Sequence, residues 1–202
     1  MTYTHRADPR SSLVWLGDAS IHALHPYWDT EITSSHIQYQ PINLCIAGET
    51  IASLKNRLAQ GLLDGLAPRL IIINIGMNDL PKMKPSAVAE GIVELSRSIG
   101  LQNPAASIGI HALVPKGYRT PIRLRTQVEA VNATLRESSL PPRTRLIEMY
   151  DIFVGAKRRF SMSDRLATVD YLPQDSFDDW VADELDTLSM DISEGAAFDT
   201  LG

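Results

Sequence analysis

Residues 69–76, RLIIINIG, set Ile71, Ile72 and Ile73 side by side with no polar residue between them. Successive side chains of a strand point to opposite faces. An unbroken apolar run therefore fits a strand covered on both faces, the situation that parallel sheets create. Further apolar runs occur at LVWLG (13–17), HIQYQPINLCI (36–46), ASIGIHALV (106–114) and, more weakly, RLIEM (145–149). Between them, TIASLKNRLAQGLLDGL (50–66) spaces Ile51, Leu54, Leu58 and Leu62 as one helical face, and SAVAEGIVELSRSI (86–99) and PIRLRTQVEAVNATLRESS (121–139) behave similarly. Five runs alternating with helical stretches predict an α/β protein with a five-stranded parallel sheet and helices on both faces. Pro68, Pro104 and Pro115 fall at connections, and Pro85 at a helix start, where proline breaks no hydrogen-bond ladder.

The chain has 202 residues, 44% hydrophobic and 21% charged, which suits one domain with a real core. We place that domain at 12–189, after an arm at 1–11 and before an acidic tail at 190–202. The ten acids after Arg165 face no Lys or Arg, and the tail reads as a solvated segment. A net charge of −5 gives no attraction for phosphate backbones, so nucleic acid is not an expected partner. No stretch reaches the 18 or so apolar residues of a membrane span, and the first residues do not resemble a signal peptide. With one cysteine, Cys45, there can be no internal disulfide, and a cytoplasmic location is expected.

Parallel α/β sheets bind ligands beyond the carboxyl ends of their strands, where loop amides and helix N-termini converge. That points to 17–20, 47–50, 76–79 and 111–117. Read in order, these loops resemble the SGNH or GDSL hydrolase family, and most closely its platelet-activating-factor acetylhydrolase-like branch. LVWLGDAS is similar to the first family block, NLCIAGET (43–50) to the second and NIGMND (74–79) to the third. HALVPKGYRTPIRLRTQVEAVNATL (111–135) resembles the branch's loop and following helix with its asparagine. The resemblance covers roughly residues 12 to 185. It implies a three-layer, flavodoxin-like fold and cofactor-free, metal-free hydrolysis of acyl groups. In that chemistry serine attacks, histidine is its base, aspartate orients the histidine, and two donors hold the oxyanion. Carried over, the donors are the Gly48 N–H and the Asn78 side chain.

Two positions depart from the pattern. The family serine falls on Ala19, and the last block, Asp-x-x-His, falls on a stretch with Asp170 as the acid but Pro173 at the base. Ser20 is a poor substitute, because one step along a helix start turns a side chain by about 100° and lifts it ~1.5 Å; a capping hydroxyl is the better role. His22 reads as a surface or packing histidine. His111, near the end of the fourth run, is either a pocket residue or a satisfied core histidine. Cys45 reads as a small buried residue. Asp18 and Asp79 end the first and third runs. Their first role is to organise turns, and their alternative is a mutually perturbed acid or base. Lys116, Arg119, Arg123 and Arg125 would hold an anion or simply form a solvated helix face, and we favour the latter.

Losing nucleophile and base together leaves only roughly 10³–10⁴-fold acceleration over water in triad enzymes. Three functional readings remain. In the first, the pocket binds a small acyl, carbonyl or carboxylate molecule, with scope for a non-hydrolytic cyclisation, elimination or isomerisation. In the second, an esterase carries an engineered Ser-to-Ala change at residue 19, which explains Ala19 but not Pro173. In the third, an inactive copy serves as an interaction or regulatory partner, since relatives in this branch associate as dimers and a homodimer would follow.

Overall fold

In the Gly17 position the first strand approaches its neighbour so closely that a β-carbon there would lie 1.7 Å from the Asn74 carbonyl oxygen. That contact lies at the carboxyl ends of the two strands. The computed structural model describes residues 13–18, 42–114 and 122–148. Its elements run β1 (Leu13–Gly17), β2 (Ile42–Asn43), α1 (Ile51–Ala59), β3 (Leu70–Asn74), α2 (Pro85–Gln102), β4 (Ser107–His111), α3 (Ile122–Glu137) and β5 (Thr144–Ile147). The five strands form one sheet in the order β2-β1-β3-β4-β5, every neighbouring pair parallel. This is the flavodoxin-type order, in which the chain reverses direction across the sheet at β1 and β3.

The unbroken isoleucine run becomes β3, buried throughout, with Ile71 to Ile73 at 0–2% exposure and strands on either side. The expectation of a doubly covered central strand holds. Parallel crossovers are right-handed almost without exception. The steps from β2 to β3, β3 to β4 and β4 to β5 all progress the same way, so their helices fall on one face. That face holds a single apolar cluster in which Val14, Leu16, Ile71, Ile73, Ile108 and Ile110 of the sheet meet Leu54 of α1, Ile92 and Leu95 of α2, and Val128 and Val131 of α3.

Some boundaries differ from the sequence reading. The first helix was expected over 50–66 but ends at Ala59, and the chain then turns through Gly61 and Gly65 at φ 86° and 77°. Leu62 sits outside the helix yet still packs against the cluster, so its apolar spacing had mimicked another turn of helix. The last strand is Thr144–Ile147 rather than 145–149, with Arg145 exposed as befits an edge. The arm at 1–11 and the tail at 190–202 lie outside the described residues. No helix among the described residues is long and apolar enough to cross a membrane.

Candidate active site

The carboxyl ends of β1, β2 and β3 are joined by backbone hydrogen bonds before any side chain contributes. Leu44 N donates to Trp15 O at 2.9 Å, Ile46 N to Gly17 O at 2.9 Å, and Asp18 N to Asn74 O at 2.8 Å. Between β2 and α1 the chain makes a four-residue turn, Ile46 to Glu49, closed by Glu49 N donating to Ile46 O at 3.1 Å. Its third residue, Gly48, has φ 77°, and the preceding alanine is not among the positive-φ residues. This is a type II turn, which needs a left-handed residue at its third position. Gly48 is exposed, and its N–H has no hydrogen-bond acceptor among the described residues.

Asn78, in the loop after β3, reaches across to both neighbouring loops. Its Nδ2 donates to Asp18 Oδ2 and to the Glu49 carbonyl, each at 2.9 Å. An amide nitrogen has two hydrogens to give, and this one ties the first and second loops to the third. Asp79 meets the start of α1, where Ile51 N lies 3.3 and 3.2 Å from its two carboxylate oxygens. Together with the reciprocal Thr50–Ser53 capping box, this gives acceptors to the amides of Thr50, Ile51 and Ser53, three of the four left over at that helix end. Burial pushes the Asp79 carboxyl above its usual range, the bond from Ile51 N opposes that shift, and the Asp18 charge adds to it.

Two further residues, not singled out from the sequence, complete the cluster. Glu49 is buried, and its Oε2 accepts from Arg57 Nη1 at 2.7 Å, while Arg57 Nη2 donates to the Leu44 carbonyl at 2.9 Å. Burial raises the Glu49 carboxyl above its usual range, and the Arg57 guanidinium pulls it back. Beside them Cys45 is buried. Burial, and after it the charges of Asp18 and Glu49, drive its thiol well up. Thiolate chemistry needs the opposite shift, so Cys45 is the core residue it was read as.

The structure thus brings together Asp18, Gly48, Asn78 and Asp79. His111 is at the end of β4, one residue after Ile110 of the helix-side cluster, and so faces the other side of the sheet. Its Nδ1 lies 2.8 Å from the Ala112 carbonyl, an arrangement that places the proton on Nδ1, and burial holds its pKa at about 4. Of its two readings, the buried neutral histidine fits. Ala19, Ser20, His22, Asp170 and Pro173 lie outside the described residues, as do Lys116 and Arg119. Among the described residues no group of three or more His, Cys, Asp or Glu side chains could hold a metal ion.

The model of the GDSL-like Lipase/Acylhydrolase family matches residues 14–166. This chain belongs to that family. The matched span includes Ala19, Gly48 and Asn78 and stops short of Asp170 and Pro173. Platelet-activating factor acetylhydrolase IB subunit alpha2 of Gallus gallus is 29% identical over 161 residues, 78% of this chain and 67% of that protein. The Rattus norvegicus subunit is 27% identical over 150 residues, 73% of this chain and 62% of its own length. The GDSL chain thus spans about two thirds of the length of these relatives.

Solved structures show the same fold. A GDSL-like lipase from Bacteroides thetaiotaomicron superposes with a TM-score of 0.66 at 14% identity, covering 93% of this chain and 89% of that one. An acetyl xylan esterase from Geobacillus stearothermophilus gives 0.57 at 17% identity, covering 87% and 94%. The three-layer α/β architecture of GDSL hydrolases is therefore the architecture of this protein.

Proposed function

We propose that this GDSL-family chain binds a small acyl, carbonyl or carboxylate molecule at the Gly48 turn, and that it does so without serine–histidine attack. The observation that carries this reading is the N–H of exposed Gly48, without an acceptor among the described residues, beside an Asn78 amide already aimed at the same loop. A backbone donor in an exposed turn suits a ligand oxygen. A second bond from Asn78 to that oxygen requires the ligand to displace Asp18 from Nδ2, because both amide hydrogens are engaged in the free protein. Alanine at residue 19 supplies no attacking oxygen, and proline at 173 supplies no base. What such a site retains is recognition and positioning, enough to favour a non-hydrolytic rearrangement of a bound carbonyl compound. The names of the relatives, acetylhydrolases and an acetyl esterase, make acetate and acetyl esters the first probes to use.

The test is hydrolysis of p-nitrophenyl acetate by the unmodified chain, by Ala19→Ser, and by Ala19→Ser with Pro173→His. We expect background rates for the first two and a clear gain only for the third. Enzyme-like turnover by the unmodified chain would overturn the reading. A rate restored by Ala19→Ser alone would favour an esterase whose serine had been replaced.

A further inference from the structure

The Gly48 N–H can serve a ligand only if the peptide that carries it is held in one direction, and among the described residues no side chain packs against Gly48 to do this. The residue is exposed, a β-carbon added to it would meet nothing within 4 Å, and glycine takes either sign of φ at little cost. Type II and type I turns differ by a flip of their central peptide, here the one between Ala47 and Gly48. A flip would turn the N–H away from the site. Both turn types share the bond from Glu49 N to Ile46 O, so the choice between them rests on how the residues flanking the turn are oriented. One flank is the Leu44 carbonyl, just after β2, and the other is Glu49, just before the Thr50 cap of α1. Arg57, two helical turns into α1, is bonded to both at 2.9 and 2.7 Å.

We propose that Arg57 is the positioning residue of this site. Its guanidinium bridges the Leu44 carbonyl and the Glu49 side chain, orients the residues that flank the turn and so sets the direction in which the Gly48 N–H points. The planar fork of arginine suits this task, because two donors on one rigid group hold two acceptors at a fixed separation. Lysine would keep the charge opposite Glu49 but has a single nitrogen on a flexible stem. Neither flank is held by Arg57 alone: Asn78 also holds the Glu49 carbonyl, and Ile46 N holds Gly17. The turn's own bond from Glu49 N to Ile46 O joins its ends at the backbone, and the guanidinium adds a second tie, from the Leu44 carbonyl to the Glu49 side chain. Arg57 touches no part of the proposed ligand position, so its influence is exerted through the turn. The inference rests on the reading of Gly48 as the ligand donor, but the orientation of its N–H is measurable without any ligand.

The experiment uses the ¹⁵N-labelled full chain. The residual dipolar coupling of the Gly48 amide reads the N–H direction, and its shift on titration with sodium acetate reads binding. Arg57→Lys is expected to fold and to melt close to wild type, yet to change the Gly48 coupling and weaken acetate binding about tenfold. The double variant Glu49→Gln/Arg57→Gln leaves no buried unpaired charge, so it keeps the test open should single variants unfold, and it is expected to show the same altered coupling. An unchanged Gly48 coupling in Arg57→Lys, or in the double variant, would overturn the role of Arg57. A wild-type Gly48 amide that ignores acetate while its coupling still depends on Arg57 would instead overturn the ligand reading and leave the positioning role standing.

Discussion

Gly17 and Gly48 both have positive φ, 131° and 77°, but a methyl group would meet a different fate at each. At Gly17 it would strike the Asn74 carbonyl, whereas at Gly48 it would hang in open space. Gly48→Ala therefore separates backbone conformation from packing. A left-handed alanine costs roughly 1–2 kcal/mol, and the turn can escape that cost by flipping its central peptide. We expect a chain that folds with an unchanged core and loses most of its acetate response, read by the Gly48-region amide shifts; full retention of binding would show that the turn's left-handed residue is not needed for it. Gly48 and Asn78 were legible in the sequence because each stands in a short block at a fixed place after a strand. Glu49 and Arg57 were not. Their pairing is eight residues apart and spans a helix cap, and Arg57 alone looks like any solvated cation on a helix. Burial of the glutamate makes the pair, and burial of a single acid cannot be read from one sequence.

Among the elements, α3 is bonded to the end of β4 through Asn132. Asn132 is buried; its Oδ1 accepts from Leu113 N and its Nδ2 donates to Leu113 O, both at 2.8 Å. A single side chain thus satisfies both backbone groups of the residue that leaves β4. Asn132→Ala would orphan two buried polar groups, and we expect a loss of about 2–4 kcal/mol in urea unfolding. Thr134→Ala, on the exposed side of the same helix, serves as the control and is expected to change little. A small effect at Asn132 would mean that water reaches Leu113. The stretch around Asn132 was conspicuous in the sequence, but only the fold reveals its partner. The end of α1 was hidden for the opposite reason: Leu62 keeps helical spacing while Gly61 has already turned the chain away.

Across the whole molecule, the alternation of apolar runs and amphipathic stretches marks a parallel α/β sheet, which is why the fold class could be read early, whereas the strand order is given by the structure. What that pattern cannot express is the side of the sheet each polar residue takes, and His111 is the case with the largest consequence. Its pKa is about 4 in the native protein against 6.5 for an ordinary histidine. Between those values the unfolded chain binds the additional proton, so stability falls as pH drops from about 6.5 towards 4, by about 3 kcal/mol for this one group. Glu49 and Asp79 act in the other direction. Their carboxyls are raised by burial, so the native state takes up protons first, and the stability they contribute at acid pH is lost as pH rises through their folded values. Histidine titrates over a higher window than an ordinary carboxylate, so its effect should dominate the first step of acidification. Urea midpoints taken at about pH 7 and about pH 5 should therefore drop for the wild type, and His111→Gln should flatten most of that drop whatever its own stability at neutral pH. Equal drops in the two proteins would place the pH sensitivity elsewhere and would mean that His111 is reached by solvent when it charges.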